Sequence, residues 1–193
     1  MGKGDSFERE CCRYLSLWWT NGEDDDVLWR NRVRRTSKTP NREQQMGDII
    51  STHPVSIPLI ETFNIEIKTG YSKTRTGKKV KNIPWDILDL IDSTKPKGDK
   101  VFLKFWEQTM SDSELSQRIP MLIFKRDFHV PCVAMKRKDL RTLSDWAGAG
   151  ILTCSRISMS GTIGWTQIDI MRRDDFFQVL TPDSIKAFHN EKK

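Results

Sequence analysis

The chain has 193 residues, of which 37% are hydrophobic and 30% charged, and 32 lysines and arginines against 26 acidic residues give a formal charge of +6. This length suits one buried core, and no apolar run approaches the roughly 20 residues of a membrane span. The N-terminus lacks the apolar stretch of a secretory signal, and the four cysteines do not form a disulfide framework. We therefore expect a reduced, cytoplasmic protein with no membrane partner, whose positive charge allows it to bind nucleic acid.

The first third of the chain predicts one helix followed by strands. Asp5 is the expected N-cap of the helix, which carries an apolar stripe and ends at Asn21-Gly22. Pro54 and Pro58 indicate a loop, because proline cannot donate to a strand ladder. Strands are expected at 27–33, 46–50 and 63–69, and the last of these has the clearest alternation of apolar and polar residues.

Beyond this region the predicted elements are two helices, a set of strands and a final helix. The first helix begins at Pro84, and the second spans about 101–117. Strands are expected at 121–124, 130–135, 151–158 and 165–170, with the first two forming a hairpin. The run Thr181-Pro182-Asp183 supplies a cap, a proline and an early acid, which is typical of a helix start. This order of elements predicts a mixed α/β domain.

Two acidic residues and a lysine form the candidate site. Along the strand at 63–69, Glu66 and Lys68 share one face and lie roughly 7 Å apart at Cα. Asp48 follows Gly47 and opens another apolar strand, so Asp48 and Glu66 meet at one end of the sheet if the two strands are neighbours. Two converging carboxylates suit Mg²⁺, and a nearby lysine can orient a water molecule. The alternatives are a solvated Glu-x-Lys pair on a half-exposed sheet and an aspartate that only starts a turn.

These residues resemble the motifs of the PD-(D/E)xK nuclease superfamily. Gly47-Asp48 matches the first acid, without the proline of the motif, and Glu66-Ile67-Lys68 matches the E-x-K element. The run KGDSFERE, which ends at Glu10, is similar to the K-G-x-x-x-E-R-E start of archaeal-type Holliday-junction resolvases and their phage relatives. The resemblance implies a restriction-endonuclease-like core, in which helices flank a mixed central sheet.

The resemblance also implies roles for individual residues. Asp48, Glu66, Glu8 and the backbone carbonyl of Ile67 would hold Mg²⁺, for which Mn²⁺ can substitute, and Lys68 would orient the attacking water. The same four side chains, those of Glu8, Asp48, Glu66 and Lys68, are the candidate catalytic residues. For Glu8 a second interpretation stays open, since a glutamate three residues after Asp5 can also complete a capping box.

Two basic stretches flank the candidate site, one before Asp48 and one after Lys68. Phosphate contacts from such residues fix the register of bound DNA without reading its sequence. The alternative is a pair of solvated loops. The candidate DNA-binding residues, which include the arginine of the E-R-E motif and those of an Arg-Thr-Ser loop, are Arg9, Arg30, Arg32, Arg34, Arg35, Ser37, Lys38, Lys73 and Arg75.

We interpret the chain as a Mg²⁺-dependent DNA endonuclease of a phage or mobile element that acts in the host cytoplasm and hydrolyses phosphodiester bonds. By resemblance it leaves a 5′-phosphate and acts on branched DNA, where resolving a four-way junction requires a homodimer. The alternatives are a restriction-type nuclease on the same core and a non-catalytic DNA-binding module. We expect the nuclease core at 1–140 and, packed on it, a β-rich extension at 141–193 that ends in a helix.

Overall fold

The computed structural model describes residues 3–31, 47–69, 101–126, 129–148, 154–161 and 164–192. These ranges contain both helices and strands. In chain order they are α1 (Lys3–Trp19), β1 (Leu28–Arg30), β2 (Ile49–Ser51), α2 (Ile57–Thr62), β3 (Phe63–Thr69), α3 (Val101–Ser116), β4 (Ile119–Lys125), β5 (Cys132–Lys136), α4 (Arg137–Trp146), β6 (Ser155–Gly161), β7 (Gly164–Arg172), α5 (Arg173–Val179) and α6 (Pro182–Glu191). No helix in these ranges is long and apolar enough to cross a membrane.

A five-stranded mixed sheet lies at the centre, in the order β3-β4-β5-β7-β6. β3 and β4 are parallel, with Glu66 opposite Leu122, and every other pair in the sheet is antiparallel. β1 and β2 form a separate two-stranded antiparallel sheet. The mixed α/β architecture with a flanked central sheet, predicted from the sequence, is confirmed.

Helices cover both faces of β3. The apolar stripe of α1 packs on one face, where Phe63, Ile65 and Ile67 belong to the larger hydrophobic core. On the other face α3 packs against β3 and β4, and its Phe102 and Trp106 belong to a second core. β3 is therefore buried on both sides, although only one of its faces is apolar.

Several elements agree with the sequence prediction. The strand at Phe63–Thr69 has the predicted bounds, α3 ends one residue before the predicted limit, and β4 and β5 form the expected antiparallel pair. The final helix begins at Pro182 with Thr181 as N-cap, whose hydroxyl accepts from the Ser184 N–H at 3.2 Å. The helix predicted from Pro84 lies outside the described residues.

Three expectations about the helices were wrong. α1 begins at Lys3, so Asp5 lies within its first turn and is not the N-cap. Pro54 and Pro58 do not mark a loop: Pro54 starts a 3-10 turn and Pro58 lies in the first turn of α2, where the missing N–H has no helical partner to lose. The sequence prediction also omitted α4 and α5, which are rich in charged residues.

Candidate active site

Asp48 lies against the edge of β3 that is opposite β4, although the strand after Asp48 does not pair with β3. β2 pairs with β1, which corrects the expectation that the two strands are neighbours in one sheet. The Asp48 N–H instead donates to Ile65 O at 2.8 Å, and the Asp48 Oδ2 accepts from the Ile67 N–H at 2.7 Å. The backbone before Asp48 and its side chain are thus both fixed by β3.

Gly47 makes this approach possible. Its φ is +81°, and a Cβ at this position would lie 3.1 Å from Ile65 O and 3.2 Å from Asn64 Oδ1. A side chain would therefore be strained by the backbone conformation and would also push the loop away from β3. The local sequence Gly47-Asp48 is what this position requires.

Lys68 connects the two carboxylates. Its Nζ lies 2.6 Å from Glu66 Oε2 and 3.3 Å from Asp48 Oδ2. The Glu66 side chain is 1% exposed, that of Lys68 is 13% exposed and that of Asp48 is 27% exposed. The interpretation of Glu66 and Lys68 as a solvated pair is therefore wrong, because α3 covers the face of β3 that carries them.

α3 supplies two polar residues to the site that the sequence analysis missed. Gln108 Nε2 donates to Glu66 Oε2 at 3.2 Å, and a side-chain hydrogen bond between the buried Asp112 and the protonated form of Glu66 raises the pKa of Glu66. Gln108 and Asp112 are four residues apart and so lie on the same face of the helix. A polar pair at this spacing within the predicted helix was the available signal, but the sequence did not indicate which strand it contacts.

Burial and charge shift the protonation of Glu66 and Lys68 in a coupled way. Burial, together with the negative charge of Asp48, raises the pKa of Glu66 to about 8, and Lys68 opposes this rise. Burial alone would lower the pKa of Lys68, but the carboxylates of Asp48 and Glu66 outweigh it and the pKa is raised. The site therefore holds a charged lysine beside a carboxyl group that ionises reluctantly.

Glu8 approaches the same site from α1. Burial and then the charge of Asp48 raise the pKa of Glu8, while Arg30 lowers it. Arg30 Nε lies 3.3 Å from Glu8 Oε2, and its Nη1 lies 3.3 Å from Asp5 Oδ1 and donates to the Asp5 carbonyl at 3.0 Å. Because α1 begins at Lys3, Glu8 lies beyond the first turn, and the capping-box interpretation is wrong.

The predicted ligands do not form a three-residue metal cluster in this conformation. Across the described ranges, no group of three or more His, Cys, Asp or Glu side chains is arranged to hold a metal ion. Asp48 and Glu66 instead converge on the ammonium group of Lys68. A cation bound by the two carboxylates would therefore compete with Lys68 for their oxygens.

Few of the candidate DNA-binding residues fall within the described chain. The Nε of Arg9 is buried and has no hydrogen-bond partner in the described residues. Arg30 is paired with Asp5 and Glu8, and its side chain is only 11% exposed. The others lie outside the described residues, namely Arg32, Arg34, Arg35, Ser37, Lys38, Lys73 and Arg75.

One of three comparisons with known proteins identifies a family for the chain. No curated protein and no solved structure matches the chain significantly. A family model described as "phage putative PDDEXK endonuclease" matches residues 1–160, which include α1, Asp48 and the whole of β3. The match covers most of the chain, and the described fold is that of a restriction-endonuclease-like core. The chain therefore belongs to this phage PDDEXK endonuclease family, whose members are nucleases of the PD-(D/E)xK superfamily.

Proposed function

We propose that the chain is a divalent-metal-dependent endonuclease that hydrolyses phosphodiester bonds in DNA at the site formed by Asp48, Glu66 and Lys68. The observation that carries this proposal is the convergence of two carboxylates on one lysine at the edge of β3, with Glu66 buried. A salt bridge kept only for stability needs no second acid, and the mutual repulsion of Asp48 and Glu66 costs stability. Such a cost is typical of catalytic sites.

The donor atoms at this edge suit Mg²⁺, with Mn²⁺ as a substitute. Carboxylate and carbonyl oxygens are the ligands that these ions prefer. Backbone groups alternate along a strand, and the Ile67 N–H already points to Asp48, so the Ile67 carbonyl faces the same edge. Glu8 is held close enough for the charge of Asp48 to raise its pKa. We propose Asp48, Glu66, the Ile67 carbonyl and Glu8 as the ligand set.

The metal ligands and Lys68 have separate roles in the proposed hydrolysis. Asp48, Glu66, the Ile67 carbonyl and Glu8 would hold Mg²⁺, which would supply Lewis-acid chemistry to the phosphodiester. Lys68 has three N–H donors, of which two are directed at Asp48 and Glu66. The third remains for a water molecule or a phosphate oxygen, and a lysine ammonium group is charged at neutral pH.

A cleavage assay tests the proposal. Purified protein is incubated with a labelled linear duplex in Mg²⁺ or in EDTA, beside Lys68→Ala and the control Lys186→Ala, which removes a lysine ion-paired with Asp183 on α6. We expect Mg²⁺-dependent cutting that only Lys68→Ala loses. Cutting by Lys68→Ala at the parental rate would show that the site lies elsewhere. Tight binding without cutting, in Mg²⁺ and in Mn²⁺, would identify a non-catalytic DNA-binding module.

We extend the proposal to branched DNA, on the resemblance of the N-terminal run to junction resolvases. Arg9 and the basic residues before Asp48 would grip the phosphates, and a homodimer would direct two sites at opposite strands in the cytoplasm of the host. The assay is repeated with a four-way junction and a flap, and the mass of the protein in solution is measured. Paired symmetric nicks by a dimer are expected, whereas cutting of duplex by a monomer would contradict this extension and favour a restriction-type nuclease.

A further inference from the structure

A basic cleft lies apart from the candidate active site, between the C-terminal half of α3, the end of β5 and the start of α4. Its volume is about 710 Å³. Glu114 and Met110 of α3 form one wall, and Thr166 and Gln167 of β7 form another. The remaining wall is cationic and consists of Lys136, Arg137, Lys138 and Arg141.

The pairing of the strands relates this basic cleft to the active site. Glu66 lies opposite Leu122 of β4, which in turn lies opposite Ala134 of β5. Lys136 is two residues beyond Ala134, so it projects from the same face of the sheet as Glu66. Two strand spacings of about 4.8 Å separate β3 from β5, and Lys136 lies about 6.7 Å further along β5 than Ala134, so Glu66 and Lys136 lie roughly 12 Å apart at Cα. The basic cleft and the active site are therefore close enough for one substrate to reach both.

The cations of the basic cleft lie where unfavourable charge interactions lower the free energy of unfolding. Arg137 and Lys138 occupy the first turn of α4, where the positive end of the helix dipole disfavours cations. Arg137 Nη1 donates to the amide oxygen of Gln167 at 3.1 Å, which is a neutral partner. Burial lowers the pKa of Lys136, and Lys138 adds to this effect while Asp139 and Glu114 oppose it. An anion in the basic cleft would relieve this repulsion.

We propose that the basic cleft binds backbone phosphates of the DNA substrate outside the cleaved step, as a second, non-catalytic contact. The proposal rests on the proposed function, since it takes DNA to be the substrate. The volume exceeds what a single phosphate fills, and a DNA backbone that carries one phosphate per about 3.4 Å of axis can span a separation of roughly 12 Å. Its contribution is electrostatic, independent of sequence and weakened by salt.

The test uses the double variant Lys138→Gln/Arg141→Gln, because both side chains are exposed and neither belongs to the core. The matched control is Arg13→Gln/Lys186→Gln, which removes two exposed cations that are already ion-paired with Asp25 and Asp183. Both variants lower the formal charge from +6 to +4. Binding of labelled duplex and four-way junction is measured in EDTA over a range of salt concentrations. A second measurement compares the melting temperature in inorganic phosphate and in chloride at equal ionic strength.

We expect the slope of log K against log salt on duplex DNA to fall by about 1.8 in the cleft variant, about 0.9 for each lost phosphate contact. The control is expected to keep the parental slope, and phosphate is expected to raise the melting temperature of the parent more than that of the cleft variant. Equal slopes for the two variants, with a parent that binds and cuts DNA, overturn this proposal and leave the proposed function intact. Equal slopes together with stabilisation by phosphate would identify a free phosphate compound as the ligand instead. A parent that neither binds nor cuts DNA contradicts the proposed function first, and with it the DNA contact.

Discussion

Replacing the buried Glu66 by glutamine is expected to remove a pH-dependent loss of stability in the metal-free protein. The carboxyl group ionises near its ordinary value of 4.5 in the unfolded chain and near 8 in the folded protein, because it is buried beside Asp48. The folded state therefore binds the extra proton between these values, and the free energy of unfolding falls as the pH rises through this window. Glu66→Gln lacks this ionisable group, so its free energy of unfolding is not expected to fall over the same pH range.

The structure sets the size of the effect. A rise from 4.5 to about 8, at about 1.4 kcal/mol for each tenfold change in acid strength, gives an upper limit of about 5 kcal/mol. The side chain is 1% exposed, so solvent does not screen the effect, although Lys68 already reduces it. We expect the wild-type protein to lose several kcal/mol relative to Glu66→Gln between about pH 5 and about pH 9.

Urea unfolding in EDTA at these two pH values measures the difference. The control is Asp169→Asn, because Asp169 is also buried but its carboxylate accepts from Arg156 Nε at 2.8 Å and from Nη2 at 3.3 Å. Loss of this paired charge is expected to lower stability at both pH values. If the free energies of unfolding of wild type and Glu66→Gln differ by the same amount at both pH values, the raised pKa assigned to the buried Glu66 is wrong.

Three further outcomes are expected. Gly47→Ala and Gly22→Ala both introduce a Cβ at positive φ and lose about 1–2 kcal/mol each in urea unfolding. Only at Gly47 does the Cβ meet β3, so only that variant is expected to lose about 100-fold in cleavage rate, and equal rates would contradict the role of this glycine. Gln108→Leu removes a donor to Glu66 and is expected to raise the Mg²⁺ concentration for half-maximal cutting about 10- to 100-fold, as a titration would measure. Lys68→Met is expected to abolish cutting while the far-ultraviolet circular dichroism stays that of the parent, and a lost spectrum would refute a purely chemical role.

The parts of the fold that were predictable have a strong local signal. β3 alternates apolar and polar residues over its whole length, and the run at Thr181 combines three helix-start features. α4 and α5 have weaker signals, since only Leu140 and Leu143 of α4 are buried and its other positions are mostly polar. Local sequence patterns therefore predicted the elements that have a clear apolar periodicity or a clear helix start.

The sequence indicated the residues of the candidate site but not their surroundings. The motif spacing indicated Asp48, Glu66 and Lys68, but the alternation along β3 left a solvated polar face open as the alternative. That face is buried because α3 packs on it, and the contact between Gln108 and Glu66 joins residues that are 42 positions apart. A single sequence carries no signal for such a pairing, so the burial that raises the pKa of Glu66 became evident only with the fold.

The position of Asp48 has a consequence for self-association. β3 ends the five-stranded sheet among the described strands, and an open terminal strand offers backbone groups to which the strand of a second molecule can add. Asp48 engages Ile65 O through its N–H and the Ile67 N–H through its carboxylate. The backbone N–H and the carboxylate of Asp48 thus occupy hydrogen-bonding positions on this edge that a neighbouring strand would otherwise use. Asp48→Ala removes the acceptor of the Ile67 N–H and is expected to favour strand addition, whereas the amide oxygen of Asp48→Asn can still accept. Asp48→Asn is therefore the better variant for studies at high concentration.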